Sequence, residues 1–195
     1  MKAVYTKNIY FSGGDFHELQ AVFELLPGIA STCTGYINPA AALTGAEDAY
    51  EAVASGQIPA VMGVEVTYDP KKMDLSMLMD VLFVVVDPHL PDGQGPARGR
   101  MYRAGVWYVD EEDRPQLELY MHFLANRGRA TAMTTGQLTL NNPRSGQTDT
   151  RPCYVQAARL VCFESASEQH QHYVQKHPQQ VTFIDWQRLK RYLEF

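Results

Sequence analysis

The stretch Val4-Tyr5-Thr6-Lys7-Asn8-Ile9-Tyr10-Phe11-Ser12-Gly13-Gly14-Asp15-Phe16-His17-Glu18-Leu19-Gln20-Ala21-Val22-Phe23-Glu24-Leu25-Leu26 reads as strand, glycine turn and helix in immediate succession. Val4 to Phe11 has strand composition, and Ser12-Gly13-Gly14 breaks it. From Asp15 to Leu26 the apolar residues Phe16, Leu19, Val22, Phe23 and Leu26 recur at the period of a helix face. Pro27-Gly28 ends that helix, and Ile29 to Tyr36 reads as a second strand. Further out, a polar, alanine-rich stretch from Ile37 to Asp48 leads to a short helix near Ala49 to Ser55. Val61 to Tyr68 alternates like a strand until Asp69-Pro70 stops it, and Leu75 to Val85 reads as a second long helix. Gly93 to Gly99 reads as a loop, Met101 to Val109 as an aromatic-rich strand, and Glu111 to Asn126 as a third helix. Gly136 to Arg151 is a mostly polar loop, Cys153 to Val161 a strand, and Phe183 to Leu193 a terminal helix with basic residues in its last turns. This order predicts an α/β (α+β) sandwich, a mixed sheet built on split βαβ units.

The composition is that of a soluble globular domain, with 195 residues of which 45% are hydrophobic and 20% charged, and one domain spanning 1–195 is expected. Lys and Arg number 17 against 22 Asp and Glu, and no run of Lys or Arg makes a basic stripe, so no nucleic-acid partner is expected. The longest largely apolar run, Met77 to Val86, contains Asp80 and is too short to span a bilayer, and the first residues carry no signal-like segment. No membrane association and a cytoplasmic location are therefore expected. Cys33, Cys153 and Cys162 are odd in number and lack C-x-x-C spacing, which points to buried, reduced thiols.

The segment Phe11-Ser12-Gly13-Gly14-Asp15-Phe16-His17, then Pro27-Gly28-Ile29 and Gly35-Tyr36, is similar to the opening of the peptide methionine sulfoxide reductase A family. Three further blocks agree in order. They are Tyr50 to Gly56 through Val64 to Pro70; Asp87-Pro88 with Gln94-Gly95 and Tyr102-Arg103; and Phe163 with His170-Gln171 and Tyr173. The resemblance implies that family's fold, with a ferredoxin-like core. It also implies a chemistry in which a thiolate at the start of the first helix attacks the sulfoxide sulfur, an acid protonates the oxygen, an aromatic cage holds the methyl group, and other thiols reset the enzyme.

On the same resemblance, this chain departs at the reacting positions. Asp15 stands where the family has its cysteine, Met62 where it has the proton-donating glutamate, Ala97 where it has an aspartate, and His17 where it has the cage tryptophan. Phe16, Tyr36 and Tyr102 remain. A carboxylate has no sulfenic state through which to carry oxygen away, so the thiol cycle has no starting point at Asp15. The residues themselves leave alternatives open. Asp15 reads as a helix N-cap, or with His17 as a catalytic acid/base or nucleophilic pair. A metal would need a third ligand, with His89 or His170 as candidates, and i, i+2 spacing on a helix points Asp15 and His17 to different faces. Phe16, Tyr36, Met62 and Tyr102 read as packing residues or as a pocket for a small molecule or peptide side chain. Arg98 and Arg100 read as a solvated rim or as an anion contact to that pocket. No cofactor is called for. The expected function is a family member without reductase activity that binds such a ligand, with an enzyme of new specificity using Asp15 and His17 as the alternative.

Overall fold

The computed structural model describes residues 5–43, 49–125, 152–180, 182 and 184–194. Strand β1 (Lys7–Ser12), helix α1 (Phe16–Glu24), strand β2 (Ile29–Ile37), helix α2 (Ala49–Ala54), strand β3 (Val61–Tyr68) and helix α3 (Leu75–Val85) follow one another. Next come the two-residue strands β4 (Gly93–Gln94) and β5 (Ala97–Arg98), strand β6 (Gly105–Tyr108), helix α4 (Arg114–Ala125) and strands β7 (Gln156–Arg159) and β8 (Phe163–Ser165). Helices α5 (Tyr173–Lys176) and α6 (Trp186–Leu193) complete the order.

The main sheet runs β7-β6-β1-β3-β2-β8. Strand β3 lies between β1 and β2 and is antiparallel to both, so β1-α1-β2 is a split βαβ unit. Strand β1 in turn separates β3 from β6, which makes β3-α3-β6 a second such unit. The mixed sheet with this ferredoxin-like core is the expected fold class. Strand β7 adds in parallel beside β6, and β8 antiparallel beside β2.

Alternation along the strands sorts the core into two faces. Ile9 and Phe11 of β1 and Met62, Val64 and Val66 of β3 meet Leu19, Val22 and Phe23 of α1 and Leu78, Leu82 and Phe83 of α3. On the opposite face Tyr10, Ile37 and Trp107 form a smaller cluster backed by Val61, Leu160 and Phe163. Beside it, Tyr10 and Asn8 donate hydrogen bonds to Glu65 at 2.5 and 3.2 Å.

Several boundaries differ from expectation. Only Gly105–Tyr108 of the Met101–Val109 stretch pairs as strand, because Arg100–Tyr102 closes into a 3-10 turn in which the Tyr102 N–H donates to the Gly99 carbonyl at 3.0 Å. The Gly93–Gly99 loop contains a minimal β4/β5 ladder. Strand β7 is shorter than Cys153–Val161, and the terminal helix starts at Trp186, capped by Asp185. The expected loop at Gly136 to Arg151 lies outside the described residues. Among the described residues no helix is long and apolar enough to cross a membrane.

Candidate functional site

The turn Gly13-Gly14 aims the start of α1. Both glycines have positive φ, +150° and +85°, and a Cβ on Gly13 would lie 2.7 Å from the Val86 side chain. The Gly14 N–H donates to the Tyr102 carbonyl at 3.0 Å, which ties the turn to the 3-10 segment. Gln94 stands against Gly14 while its side-chain amide bonds both the N–H and the carbonyl of Asp87, at 2.7 and 2.8 Å. The Asp87-Pro88 and Gln94-Gly95 block thus holds the floor beneath the helix start.

Asp15 is the N-cap of α1, with extended backbone (φ -72°, ψ 126°), and its carboxylate accepts the His17 N–H at 2.7 Å. The same oxygen lies 2.9 Å from His17 Nδ1. The expectation that i, i+2 spacing would separate the two side chains fails, because Asp15 sits one residue outside the helix and its side chain folds back over the first turn. Burial acts to raise the Asp15 pKa. The His17 side-chain hydrogen bond and charge, with the backbone N–H groups of His17 and Glu18, outweigh it and hold the carboxyl below its ordinary value.

His17 Nε2 lies 3.0 Å from His170 Nδ1, giving a hydrogen-bonded chain Asp15–His17–His170. An ionised carboxylate only accepts, so His17 Nδ1 carries a proton and donates to Asp15. The other ring nitrogen of His170, Nε2, lies 3.4 Å from the Gln169 amide nitrogen. Burial first, and then the charge of His17, push the His170 pKa below 6.5 despite the opposing effect of Asp15. The outer imidazole is therefore neutral at pH 7 and able to take a proton or accept a hydrogen bond.

His170 is held by its neighbour in sequence. Gln171, 7% exposed, accepts from the Thr34 N–H at 2.9 Å and donates to the carbonyls of Thr34 and Ala166 at 2.9 and 3.0 Å. Gln20 of α1, fully buried, donates to Gln171 at 3.3 Å and accepts the His172 N–H at 2.6 Å. Aromatic rings fill the remaining space. Tyr173 lies 4.4 Å from His17, Tyr50 stacks on His170 at 4.8 Å, and Phe16 packs edge-on to His17 at 4.6 Å. Tyr50 and Tyr102 share a side-chain hydrogen bond, and burial raises the pKa of both hydroxyls. Sequence reasoning did not single out Tyr50 and Tyr173 as site residues, although both stand in the ordered blocks quoted above.

The expected pocket is largely packed shut. Phe16, Tyr36 and Met62 are 0–1% exposed and belong to the main core. The Tyr36 hydroxyl is buried with no hydrogen-bond partner among the described residues, and burial pushes its pKa up to about 12. Beside Asp15 lies a cavity of about 60 Å³ lined by Gly13, Gly14, Glu18, Val86, Gln94 and Ala97 among others, room for water rather than a metabolite. Arg98 and Arg100 do not reach this site; they line a separate cavity behind α2. His89 is also elsewhere, its Nδ1 3.0 Å from the Pro152 carbonyl oxygen. Because Asp15 and His170 engage opposite nitrogens of His17, the three groups form a chain and do not converge on a point where a metal could sit. Of the cysteines, Cys33 and Cys153 are half-buried, with thiol pKa values raised by burial, and Cys162 is exposed.

The fold, with the ordered blocks that surround this helix start, points to one protein family, and comparison with known proteins shows which. The family model described as peptide methionine sulfoxide reductase matches residues 7–194. The peptide methionine sulfoxide reductase MsrA of Mycoplasma pneumoniae is 34% identical over 172 residues, covering 88% of this chain and 94% of the relative. That of Metamycoplasma arthritidis is 33% identical over 179 residues, covering 91% and 98%. Among solved structures, reduced Mxr1 from Saccharomyces cerevisiae superposes with a TM-score of 0.71 at 22% identity, covering 91% of this chain and 88% of that one. The methionine sulfoxide reductase A of Corynebacterium diphtheriae superposes with 0.63 at 21% identity, covering 93% and 80%. The chain belongs to the peptide methionine sulfoxide reductase family.

Proposed function

We propose that this family member does not reduce methionine sulfoxide by a thiol cycle, and that its site at the start of α1 binds a small molecule or a peptide side chain instead. The observation that carries the reading is the group at the helix N-terminus, a carboxylate held in its ionised form by His17. A thiolate attacks sulfur and leaves a sulfenic acid that a second thiol can reduce; a carboxylate offers neither step. Burial disfavours the thiolate at two of the remaining thiols, Cys33 and Cys153. Met62 and Ala97 stand at the positions where, by resemblance, the family places its acid and its aspartate. The relatives carry the reductase's name, and that activity is theirs. Binding is supported by His170, a half-buried imidazole stacked on Tyr50 at the edge of the cluster, against which a ligand group or peptide side chain could rest without entering the packed core.

A second reading is favoured by one feature, the Asp15–His17–His170 chain. A carboxylate that fixes one imidazole, which in turn orients a neutral outer imidazole, is an arrangement for general acid/base catalysis, with Asp15 as the orienting group and His170 the proton-transferring one. The test of the first reading is turnover of free and peptide-bound methionine sulfoxide with dithiothreitol as reductant. No turnover is expected. A rate on the order of 1 per second would overturn it, and its loss in Cys33→Ser would identify a relocated nucleophile.

A further inference from the structure

On the sheet face opposite α1, behind α2, lies a cavity of about 640 Å³, a volume in the range of metabolite-binding sites. It shares no lining residue with the Asp15 cluster. Its floor is the smaller apolar cluster, Ile37 and Trp107 with Val61; α2 contributes one wall, and Gln156 and Ala158 of β7 contribute another. The rim carries Arg98, Arg100 and Arg103, and no acidic residue lines it among the described residues. These arginines are not equivalent. Arg103 is neutralised by Asp92, with Nε and Nη2 at 3.0 and 2.6 Å from one carboxylate oxygen. Arg98 and Arg100 are exposed, and among the described residues neither side chain forms an ion pair or hydrogen bond.

A chamber with an apolar floor and two uncompensated guanidinium groups at its mouth selects by charge and by hydrophobicity together. Each guanidinium presents a planar fork of donors that fits the two oxygens of a carboxylate or sulfonate, while Trp107, Ile37 and Val61 take an aliphatic or aromatic body. A neutral apolar molecule would leave the guanidinium groups unused. A bare inorganic anion would leave the apolar floor wet.

We propose that this cavity is a second binding site, independent of the Asp15 cluster, for a small organic anion with an apolar body. The test uses anilinonaphthalene sulfonate as the probe, titrated into the folded protein and followed by fluorescence. Saturable binding is expected, displaced by decanoate and not by decanol. Binding should weaken about tenfold or more in the double variant Arg98→Ala/Arg100→Ala. The glutamine pair Arg98→Gln/Arg100→Gln, which keeps the inner part of the aliphatic stem and a polar end without the charge, should show the same loss, and Asp15→Asn should bind as the parent does. Absence of saturable binding to the parent, equal displacement by decanol, or undiminished binding by both arginine variants would each overturn the proposal.

Discussion

Asp15 carries two duties on one oxygen, capping α1 through the His17 N–H and fixing the His17 ring. Substitution separates them. Asparagine caps a helix about as well as aspartate, so Asp15→Asn should stay within about 0.5 kcal/mol of the parent, whereas Asp15→Ala should lose about 1 kcal/mol in denaturant melts. An alanine variant as stable as the parent would show that the cap contributes nothing. The carboxyl is held below its ordinary 3.8, so its stabilisation is present above that pH and is lost as the pH falls through the folded value. If the acid/base reading holds, Asp15→Asn should keep the protein folded and the His17 proton on Nδ1, visible in nitrogen NMR, while lowering the basicity of the relay.

The segment that presents His170 is attached to the sheet and α1 by two buried amides, Gln171 and Gln20. Replacing Gln171 by leucine leaves the N–H and carbonyl of Thr34 and the carbonyl of Ala166 without these partners. Gln171→Leu should therefore cost about 2–4 kcal/mol and free the His170 ring from His17. An unchanged melting temperature together with unchanged imidazole NMR signals would refute this anchoring. Helix α3 was legible in the sequence to the residue as the largely apolar run Leu75 to Val85, and the structure adds its cap, with Asp74 accepting the Met77 N–H at 2.9 Å. Strands β1, β2 and β3 were legible from alternation and glycine breaks. The 3-10 turn at Arg100–Tyr102 was not, since aromatic composition suggests strand and only the positive φ of Gly99 redirects the chain. The His17–His170 contact spans 153 positions, so no local pattern announces it. Arg98 and Arg100 were recognised as charge at a rim; which cavity they border depends on the path of the chain around α2.

Across the whole molecule, α3, α4 and α6 converge on one buried acid. Asp80, 4% exposed, accepts from the Tyr120 hydroxyl at 2.6 Å and from Tyr192, yet burial outweighs both donors and lifts its pKa to about 6. The folded protein thus holds a proton that the unfolded chain, at 3.8, releases. The resulting stability is complete below 3.8 and is lost as the pH rises through about 6. Asp80→Asn should remove that slope, so that the variant gains on the parent by up to about 3 kcal/mol as the pH is raised from 4 to 7. Parallel stability curves over that interval would show that Asp80 does not titrate with folding. The position of β3 in the sheet also bears on the order in which a growing chain can assemble. Its two partners, β1 and β2, are synthesised first and stay unpaired with it until Tyr68 has emerged; at about 5–20 residues per second, that is a wait of seconds. Helix α1 and its glycine turn are therefore made early and positioned late, and nascent chains of this protein should need shelter from association until their central strand arrives.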